Sequence, residues 1–428
     1  MSSYSPEVTA YLARYERRNL IANFLDLTFF SLAMSFIFAS TVLTVYISRL
    51  TSVAVLIGLV TSIQGVSSSL PQLFFANKAE HLSRYLPFIL PISTLERLPY
   101  GVIGLMLLLW PQVPNWLAYT VLILGLAIAA LAGGICAPAW RGMIAKVVHR
   151  EQRGMLFGVS AGVGGLLGVA GAAVSRQILA NYPYPTSYGI CFMLCFVFQI
   201  CSYIGLSLNR EPATPPTVES RSARDYWSRL PSVLRGNRNF RCYLTIRVLL
   251  VLAGMAGVFT MVYARQRFEV SDSFAADLTM VALISQTIAA PLLGRVADRL
   301  GYKWLLQLGT LTSMFAMVIL IAAPAPEWFY LLYLVTNAGG AGMGIAASNL
   351  PMEFSATELP TYTALSDTLL TLPILLSPLI GGWLVDTVGM RPTFVLSLVL
   401  YAVVYVMLRW FMIDPRHNTP TPEPESAV

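Results

Sequence analysis

The sequence predicts an all-α membrane protein whose twelve transmembrane helices form two pseudo-symmetric bundles of six. Three observations support this fold class. Of the 428 residues 56% are apolar and only 11% are charged, apolar runs recur between short polar breaks, and one long polar break divides the chain. Soluble domains contain about 25% charged residues. Because this chain cannot cover itself with a polar surface, its composition excludes an ordinary soluble enzyme, a disordered chain and a disulfide-stapled secreted module.

The apolar runs are long enough to cross a bilayer, which takes about 20 residues of helix. The predicted spans are residues 19–46, 52–77, 85–110, 116–139, 154–180, 185–208, 241–264, 273–297, 302–323, 328–351, 361–385 and 392–411. The polar break at 209–240 contains EPATPPTVESRSARD, which is rich in Pro, Ser, Thr and charge and is typical of a linker. This break separates a six-helix bundle at 19–208 from a second one at 241–411.

Basic residues lie mainly in alternate loops, and loops rich in Lys and Arg stay on the cytoplasmic side of a membrane. With the N-terminus inside, 21 Lys and Arg face the cytoplasm and 5 face the opposite side. We therefore predict a multi-pass protein of a bacterial plasma membrane, with cytoplasmic tails at 1–18 and 412–428 and a cytoplasmic linker. The net charge of +7 then faces the anionic inner leaflet, so the lipid bilayer rather than nucleic acid is the expected partner.

Cysteine and histidine usage gives no sign of a metal or redox site. The five Cys lie inside apolar stretches, where they fit as small packing residues rather than disulfide partners. The three His lie near span ends and lack the spacing of metal ligands. We therefore expect no metal and no cofactor. No Ser-His-Asp or phosphate-binding constellation appears either, which makes an enzyme the least favoured class.

The two halves of the chain repeat each other weakly. Arg18-Asn19-Leu20 opens the first span, and Arg238-Asn239-Phe240 opens the seventh. The loops after spans two and eight carry Ala79-Glu80-His81-Leu82-Ser83 and Ala297-Asp298-Arg299-Leu300-Gly301. Duplicated halves around a cavity at the membrane midplane are typical of secondary transporters, in which one half rocks against the other.

The loop after span eight also carries a longer motif. Gly294, Asp298, Arg299, Gly301 and Lys303 follow the spacing G-x3-D-R-x-G with a basic residue behind it. This motif resembles the signature of the major facilitator superfamily, whereas the loop after span two keeps only a degenerate copy. The resemblance implies the twelve-helix fold of that family and transport by alternating access.

The same resemblance implies a gate at the cytoplasmic face. Asp298 would face the start of span five beside Arg153, where unpaired backbone N–H groups favour an anion, and Glu80 would mirror it at span eleven. Such contacts form only while the cytoplasmic side is closed. The alternative is that Asp298 and Arg299 only fix a tight loop. A further family-like segment, residues 382–391, precedes span twelve.

Ionisable side chains within spans are costly and are therefore functional candidates. Asp26 and Arg247 lie roughly 10 Å from the cytoplasmic ends of spans one and seven, and Asp367 lies at a similar level in span eleven. One hypothesis is an inner gate in which Arg247 meets Asp26 or Asp367 when the cytoplasmic side closes. A permanent structural ion pair is the equal alternative.

Two adjacent charges, Glu96 and Arg97, lie in the middle of span three. Neighbouring helical positions point about 100° apart, so we do not expect the pair to neutralise each other side by side, and at least one needs another partner. Facing a wet cavity, Glu96 could carry a proton and Arg97 could attract an anionic substrate group. A structural polar network in the N-terminal half is the alternative. Gln64, Gln286 and Asn337 are uncharged cavity candidates or helix-packing contacts.

These patterns favour a secondary transporter that moves a small molecule by alternating access, and Asp26 and Glu96 favour proton-coupled efflux. Uptake or facilitated diffusion is the first alternative. The second is a non-transporting scaffold or assembly factor, because the loop between spans ten and eleven has Glu353 and Glu358 but no Lys or Arg and would suit a partner surface. The predicted partners are a small-molecule substrate, the lipid bilayer and, in the coupled case, protons.

Overall fold

The computed structural model describes residues 5–214, 237–354 and 359–415, and within them twelve helical segments are long and apolar enough to cross a membrane. This confirms the predicted all-α membrane fold. The α-helices are Pro6–Ser35, Thr44–Leu50, Ala54–Glu80, Leu86–Leu109, Asn115–Val147, Arg150–Asn181, Thr186–Ser207, Arg238–Ala253, Thr260–Phe268, Asp272–Leu300, Tyr302–Ala322, Trp328–Asn349, Leu359–Val388 and Met390–Val406. We number the spans 1 to 12 in chain order. Several helices extend past the predicted apolar runs, because a helix can continue beyond the hydrocarbon core.

Spans 1 and 7 are interrupted in the same way, which is one structural sign of the repeat. In span 1 the π-turn Ala39–Leu43 separates two α-helices, and in span 7 the 3-10 segment Gly254–Phe259 does the same. Both interruptions lie towards the end of the span opposite to the one where it begins. Such breaks in the regular i to i−4 ladder allow a long helix to bend.

Paired Asn residues give a second sign of the repeat. Asn19 donates from Nδ2 to the carbonyl of Arg210 at 3.0 Å, and its Oδ1 accepts from the Arg210 N–H at 2.7 Å. Asn239 contacts Ile413 in the same two ways, at 2.7 and 3.0 Å. Each amide therefore ties the first helix of a half to the chain that leaves its sixth helix.

The first residues of the predicted linker pack on the N-terminal half. The Glu211 carboxylate accepts hydrogen bonds from the backbone N–H groups of Tyr85 and Leu86 at 2.8 to 2.9 Å, and it pairs with Lys146 Nζ at 2.9 Å. An anion at a helix start is stabilised by the unpaired N–H groups there. The rest of the linker, from 215 to 236, lies outside the described residues.

The two halves meet along spans 2 and 11 and along spans 5 and 8. Gly58 lies against the backbone of Pro378, Gly382 lies against the backbone of Val55, and Gly165 lies against a threonine of span 8. Small residues let transmembrane helices approach closely. A side chain added at any of these three glycines would overlap the opposite half.

These contacts do not continue across the whole membrane. Gly154, Gly158 and Gly162 of span 5 and Gly294 of span 8 have no described neighbour within 4 Å of a built Cβ position. All four lie towards the end that is predicted to be cytoplasmic, which we name the inner end. Among the described residues, these inner positions therefore make no close contact with the opposite half, and we call this arrangement open at the inner end.

Candidate transport site

A buried charged network lies inside the N-terminal half. Asp26 of span 1 is only 5% exposed. Its Oδ1 accepts from Ser202 Oγ at 2.6 Å, its Oδ2 accepts from Trp140 Nε1 at 3.1 Å, and Arg97 Nη2 lies 3.7 Å from Oδ1. Buried charges are tolerated when they are paired and hydrogen-bonded. Spans 1, 3, 4 and 6 together therefore hold one ion pair in the interior.

Arg97 is fully committed to this network. Its Nε donates to the Gln199 carbonyl at 3.0 Å, Nη1 donates to the Ser93 carbonyl at 3.0 Å and also contacts Ser93 Oγ, and Nη2 donates to Ser202 Oγ at 3.1 Å. Nη1 also lies 3.2 Å from Glu96 Oε2. Glu96 and Arg97 therefore contact each other, although we did not expect them to neutralise each other side by side, and Arg97 also has the further partners that were expected for at least one of the two. Long side chains that leave the helix about 100° apart can still bend towards each other.

Glu96 also reaches a cavity of about 270 Å³ in the N-terminal half. The cavity is lined by Phe30, Gln64, Ser68, Gln72, Glu96, Tyr100, Ala129, Ala130, Gly133, Gly134 and Gln199. Glu96 is the one charged side chain among these lining residues. It is 21% exposed, whereas Arg97 is 3% exposed and does not line the cavity. The Glu96 carboxylate therefore faces the cavity, whereas the Arg97 guanidinium does not.

Gly133 of span 4 makes room for that carboxylate. A Cβ at this position would lie 2.9 Å from Glu96 Oε1, which is closer than side-chain contacts allow. Gly133 was not among the residues predicted from the sequence. A glycine in a predicted span is a signal only when the facing helix is known.

The residues predicted to form an inner gate are not brought together. The carboxylate of Asp26 bonds within the N-terminal half, and Arg247 Nε is buried with no hydrogen-bond partner among the described residues. The side chains of Asp367 and Glu80 lie outside the described set. Because the inner end is open, the hypothesis that Arg247 closes it stays a prediction.

The motif loop after span 8 forms a tight turn at this open end. Gly301 has φ of 89° and starts span 9, while Asp298 and Arg299 are exposed. Lys303 donates from Nζ to the carbonyl of Met412 at 2.7 Å. Positive φ explains the glycine at this turn. Arg153, the expected neighbour of Asp298, donates to the carbonyls of its own loop, including that of Val148 at 3.0 Å.

The three uncharged candidates separate into two kinds. Gln64 lines the cavity beside Glu96. Gln286 of span 8 instead donates to Asn337 Oδ1 of span 10 at 2.7 Å, and Asn337 donates to the Tyr333 carbonyl at 2.8 Å. These two amides therefore satisfy each other between neighbouring helices, as packing contacts do.

Polar contacts between the halves close the outer end. None of these contacts was predicted from the sequence. Arg49 forms a bidentate pair with Asp272 at 2.8 and 2.9 Å, and Arg176 pairs with Asp277 at 2.7 Å. In the sequence, Arg49 and Arg176 could be recognised only as positive charges of the outer face, because their acidic partners lie far away in the chain. Tyr333 also donates from Oη to a span 1 carbonyl at 2.9 Å.

One outer contact uses the family-like segment before span 12. Asp386 accepts from the backbone N–H groups of Ala54 and Val55 at 2.9 and 3.0 Å, so it caps the start of span 2 from the opposite half. This contact is the inverted counterpart of the one expected for Asp298 at span 5. The segment thus supplies a polar closure contact at the outer end.

Twelve spans in two repeated halves, which polar contacts join at the outer end, form the architecture of a membrane transporter, and the described polar cavity lies within the N-terminal half. A family model described as the Major Facilitator Superfamily matches residues 25–285 and 257–427. The chain belongs to this superfamily, as the motif loop suggested.

Two curated relatives match part of the chain. A tetracycline resistance protein, class B, from Escherichia coli is 27% identical over 155 residues, which is 36% of this chain and 38% of that protein. The multidrug resistance protein MdtG from Dickeya zeae is 26% identical over 174 residues, 40% of this chain and 42% of that protein. The chain therefore spans about two fifths of the length of the curated relatives it matches.

A solved transporter structure matches the chain over most of its length. The D323A mutant of the nucleoside transporter NupG has a TM-score of 0.69 at 13% identity, with 92% of this chain and 99% of that chain covered. At this identity the likeness concerns the fold alone. Substrate and coupling have to be argued from the side chains.

Proposed function

We propose that the protein is a proton-coupled exporter of small organic cations that works by alternating access. The observation that carries this proposal is the position of Glu96, whose carboxylate lines the cavity while the neighbouring Arg97 is turned into the protein. A single accessible carboxylate in a membrane interior is a functional candidate by default.

The charge of the cavity favours a cationic substrate. Arg97 contacts four other residues besides Glu96 and is 3% exposed, so it offers no free guanidinium to an anion. The proposal therefore departs from the expectation that Arg97 attracts an anionic group. An amine or another organic cation would instead find the Glu96 carboxylate, with amide and hydroxyl groups of Gln64 and Tyr100 beside it.

The size and the remaining lining describe the rest of the substrate. The cavity of about 270 Å³ lies near the lower end of small-molecule sites, which span about 300 to 1,000 Å³. Phe30 and Tyr100 offer aromatic faces, on which cations and flat rings pack favourably. A compact aromatic cation fits this combination.

Proton coupling would follow from competition at one carboxylate. Glu96 can hold a proton or face a cation, and binding of either disfavours the other, which is the linkage that antiport requires. For export, the Glu96 cavity would be loaded from the predicted cytoplasmic side, the end at which four glycines of spans 5 and 8 have no described neighbour in the opposite half. The resistance proteins among the matched relatives support export as the direction.

The test is transport in proteoliposomes under an imposed pH gradient. We expect ethidium, an aromatic cation, to be transported in the direction opposite to the proton flow. Fluorescein, an aromatic anion, should not be transported. Glu96→Gln should abolish the response of ethidium transport to the gradient. Glu327→Gln, which makes the same exchange at an exposed outer position, should leave that response as in the unmodified protein.

Three results would contradict the proposal in different ways. Transport of ethidium in the same direction as the proton flow would indicate uptake. Gradient-driven transport by Glu96→Gln would remove the assigned role of this carboxylate. Failure of the folded protein to move any probe would favour the scaffold alternative. Glu358, one of the two acidic residues on which that alternative depends, lies outside the described residues.

A further inference from the structure

The basic residues at the outer end do not all serve the closure between the halves. Arg49 and Arg176 reach carboxylates of the opposite half, and Arg265 donates to a span 1 hydroxyl at 3.1 Å. Arg267 and Arg391 form no ion pair within the described part of the chain. Because basic residues are depleted on the outer side of membrane proteins, two such arginines require an explanation.

Arg267 and Arg391 converge on one phenol oxygen. Arg267 Nη1 donates to Tyr263 Oη at 2.7 Å, and Arg391 Nε donates to the same oxygen at 3.3 Å. Tyr263 is 7% exposed and packs edge-on against Phe394 at 5.0 Å between ring centroids, so the oxygen is a fixed anchor. Two guanidinium groups this close repel each other, and an anion between them would relieve the repulsion.

Both arginines line an open pocket of about 460 Å³ on the outer surface. The other lining residues are Tyr263, Gln266, Gly389, Met390 and Pro392. Gly389, with φ of 93°, precedes the first turn of span 12, and no side chain caps that helix start. The first N–H groups of a helix lack internal acceptors and favour negative charge. Two arginines and the first residues of an uncapped helix therefore line one space.

The equivalent turn at the inner end is used differently. Gly301 starts span 9 as Gly389 starts span 12, and a basic residue follows two positions later in both. Lys303 donates to the main-chain carbonyl of Met412 at 2.7 Å, so its charge contacts the protein itself. Arg391 is exposed and bonds the phenol at the pocket wall. The outer turn thus keeps its cation available to a ligand.

We propose that this pocket is an oxyanion site that binds a phosphate-type group at the outer surface. The chemistry is that of a tetrahedral anion held by forked guanidinium donors and by the start of a helix. Either the phosphate of an anionic lipid headgroup or a free phosphate or sulfate could supply the group. The site is separate from the Glu96 cavity and does not depend on the proposed transport function.

The test uses the full-length purified protein and two probes. Sodium sulfate is titrated in neutral detergent, and phosphatidylglycerol is titrated into phosphatidylcholine nanodiscs in phosphate-free buffer. A ligand of the folded state raises the melting temperature in a saturable manner. The double variant Arg267→Gln with Arg391→Gln should raise the half-saturating concentration by roughly tenfold or more. Arg265→Gln, which removes an outer charge from the same helix outside the pocket, should leave it unchanged.

The two probes distinguish the sources of the anion. A response to phosphatidylglycerol alone identifies a lipid headgroup, and a response to sulfate identifies a free anion; either supports the site when the double variant loses it. An equal response of the double variant and the unmodified protein, or no response to either probe, overturns the proposal. Arg391 is exposed, so Arg391→Gln alone is expected to fold and gives the same comparison if the double variant does not.

Discussion

The two halves share one fold but differ in the chemistry of their interiors. The N-terminal half buries the pair of Asp26 and Arg97 and presents Glu96 to a cavity. The C-terminal half has an amide pair between spans 8 and 10, in which Gln286 donates to Asn337 at 2.7 Å. Charged groups in a membrane interior are far more costly than amides. We infer that the proposed proton and substrate binding takes place in the N-terminal half and that the C-terminal half moves relative to it.

Arg247 is the exception in the C-terminal half. Its Nε is buried, and no described side chain or carbonyl accepts from it. The carboxylate of Asp26, its predicted partner, bonds Ser202 and Trp140 in this inner-open arrangement. Arg247 Nε has no described acceptor and the Asp26 carboxylate already has other partners, so a contact between the two would require a rearrangement such as closure of the inner end.

The largest effect is expected from removing the guanidinium of the charged network. Arg97→Met leaves the buried carboxylate of Asp26 without its cation, and loss of one partner of a buried pair costs about 3–5 kcal/mol. We expect a large fall in the melting temperature measured in nanodiscs. Arg247→Met, the same exchange in the other half, should cost much less. Equal losses in the two variants would show that the halves do not differ in this respect.

The ion pair between Arg49 and Asp272 joins the two halves at the outer end. Asp272→Asn removes the charge from the bidentate pair with Arg49 and should weaken the outer closure by about 1–2 kcal/mol, because the pair is partly exposed. Spin labels at the exposed positions Val53 and Val388 should then report a larger fraction of long distances across the outer end. Glu269→Gln, an exposed acid nearby, is the control. An unchanged distance distribution would mean that other contacts hold the closure.

The fold could be predicted from the sequence because bilayer thickness imposes a fixed length on every apolar run. The repeat was also visible, and Asn19 and Asn239 gave it a physical basis that the sequence alone did not reveal. In the site, Glu96 and Gln64 were among the cavity candidates, whereas the sequence left open whether Arg97 attracts an anionic group or belongs to a structural network. The rotation of each helix about its axis decides which side chains face a cavity, and a single sequence defines that rotation poorly.

Contacts between the halves could not be predicted for a different reason. Arg49 and Asp272 are 223 positions apart, and neither lies in a motif. Their pairing depends on the conformational state of the molecule, since an outer contact exists only while the outer end is closed. Asp386 was part of a family-like segment, but its bond to the start of span 2 required the opposite half to be in place.

The smallest effect is expected for the amide pair of the C-terminal half. Gln286→Leu leaves Asn337 Oδ1 without its donor and should cost about 0.6 kcal/mol, the average value of polar contacts between transmembrane helices. Ethidium transport should persist, because this amide does not line the Glu96 cavity. Gln64→Leu, the matched exchange at the cavity wall, should impair transport while changing the melting temperature little. Loss of transport in Gln286→Leu at unchanged stability would place substrate contacts in both halves and end the division of roles argued from Glu96.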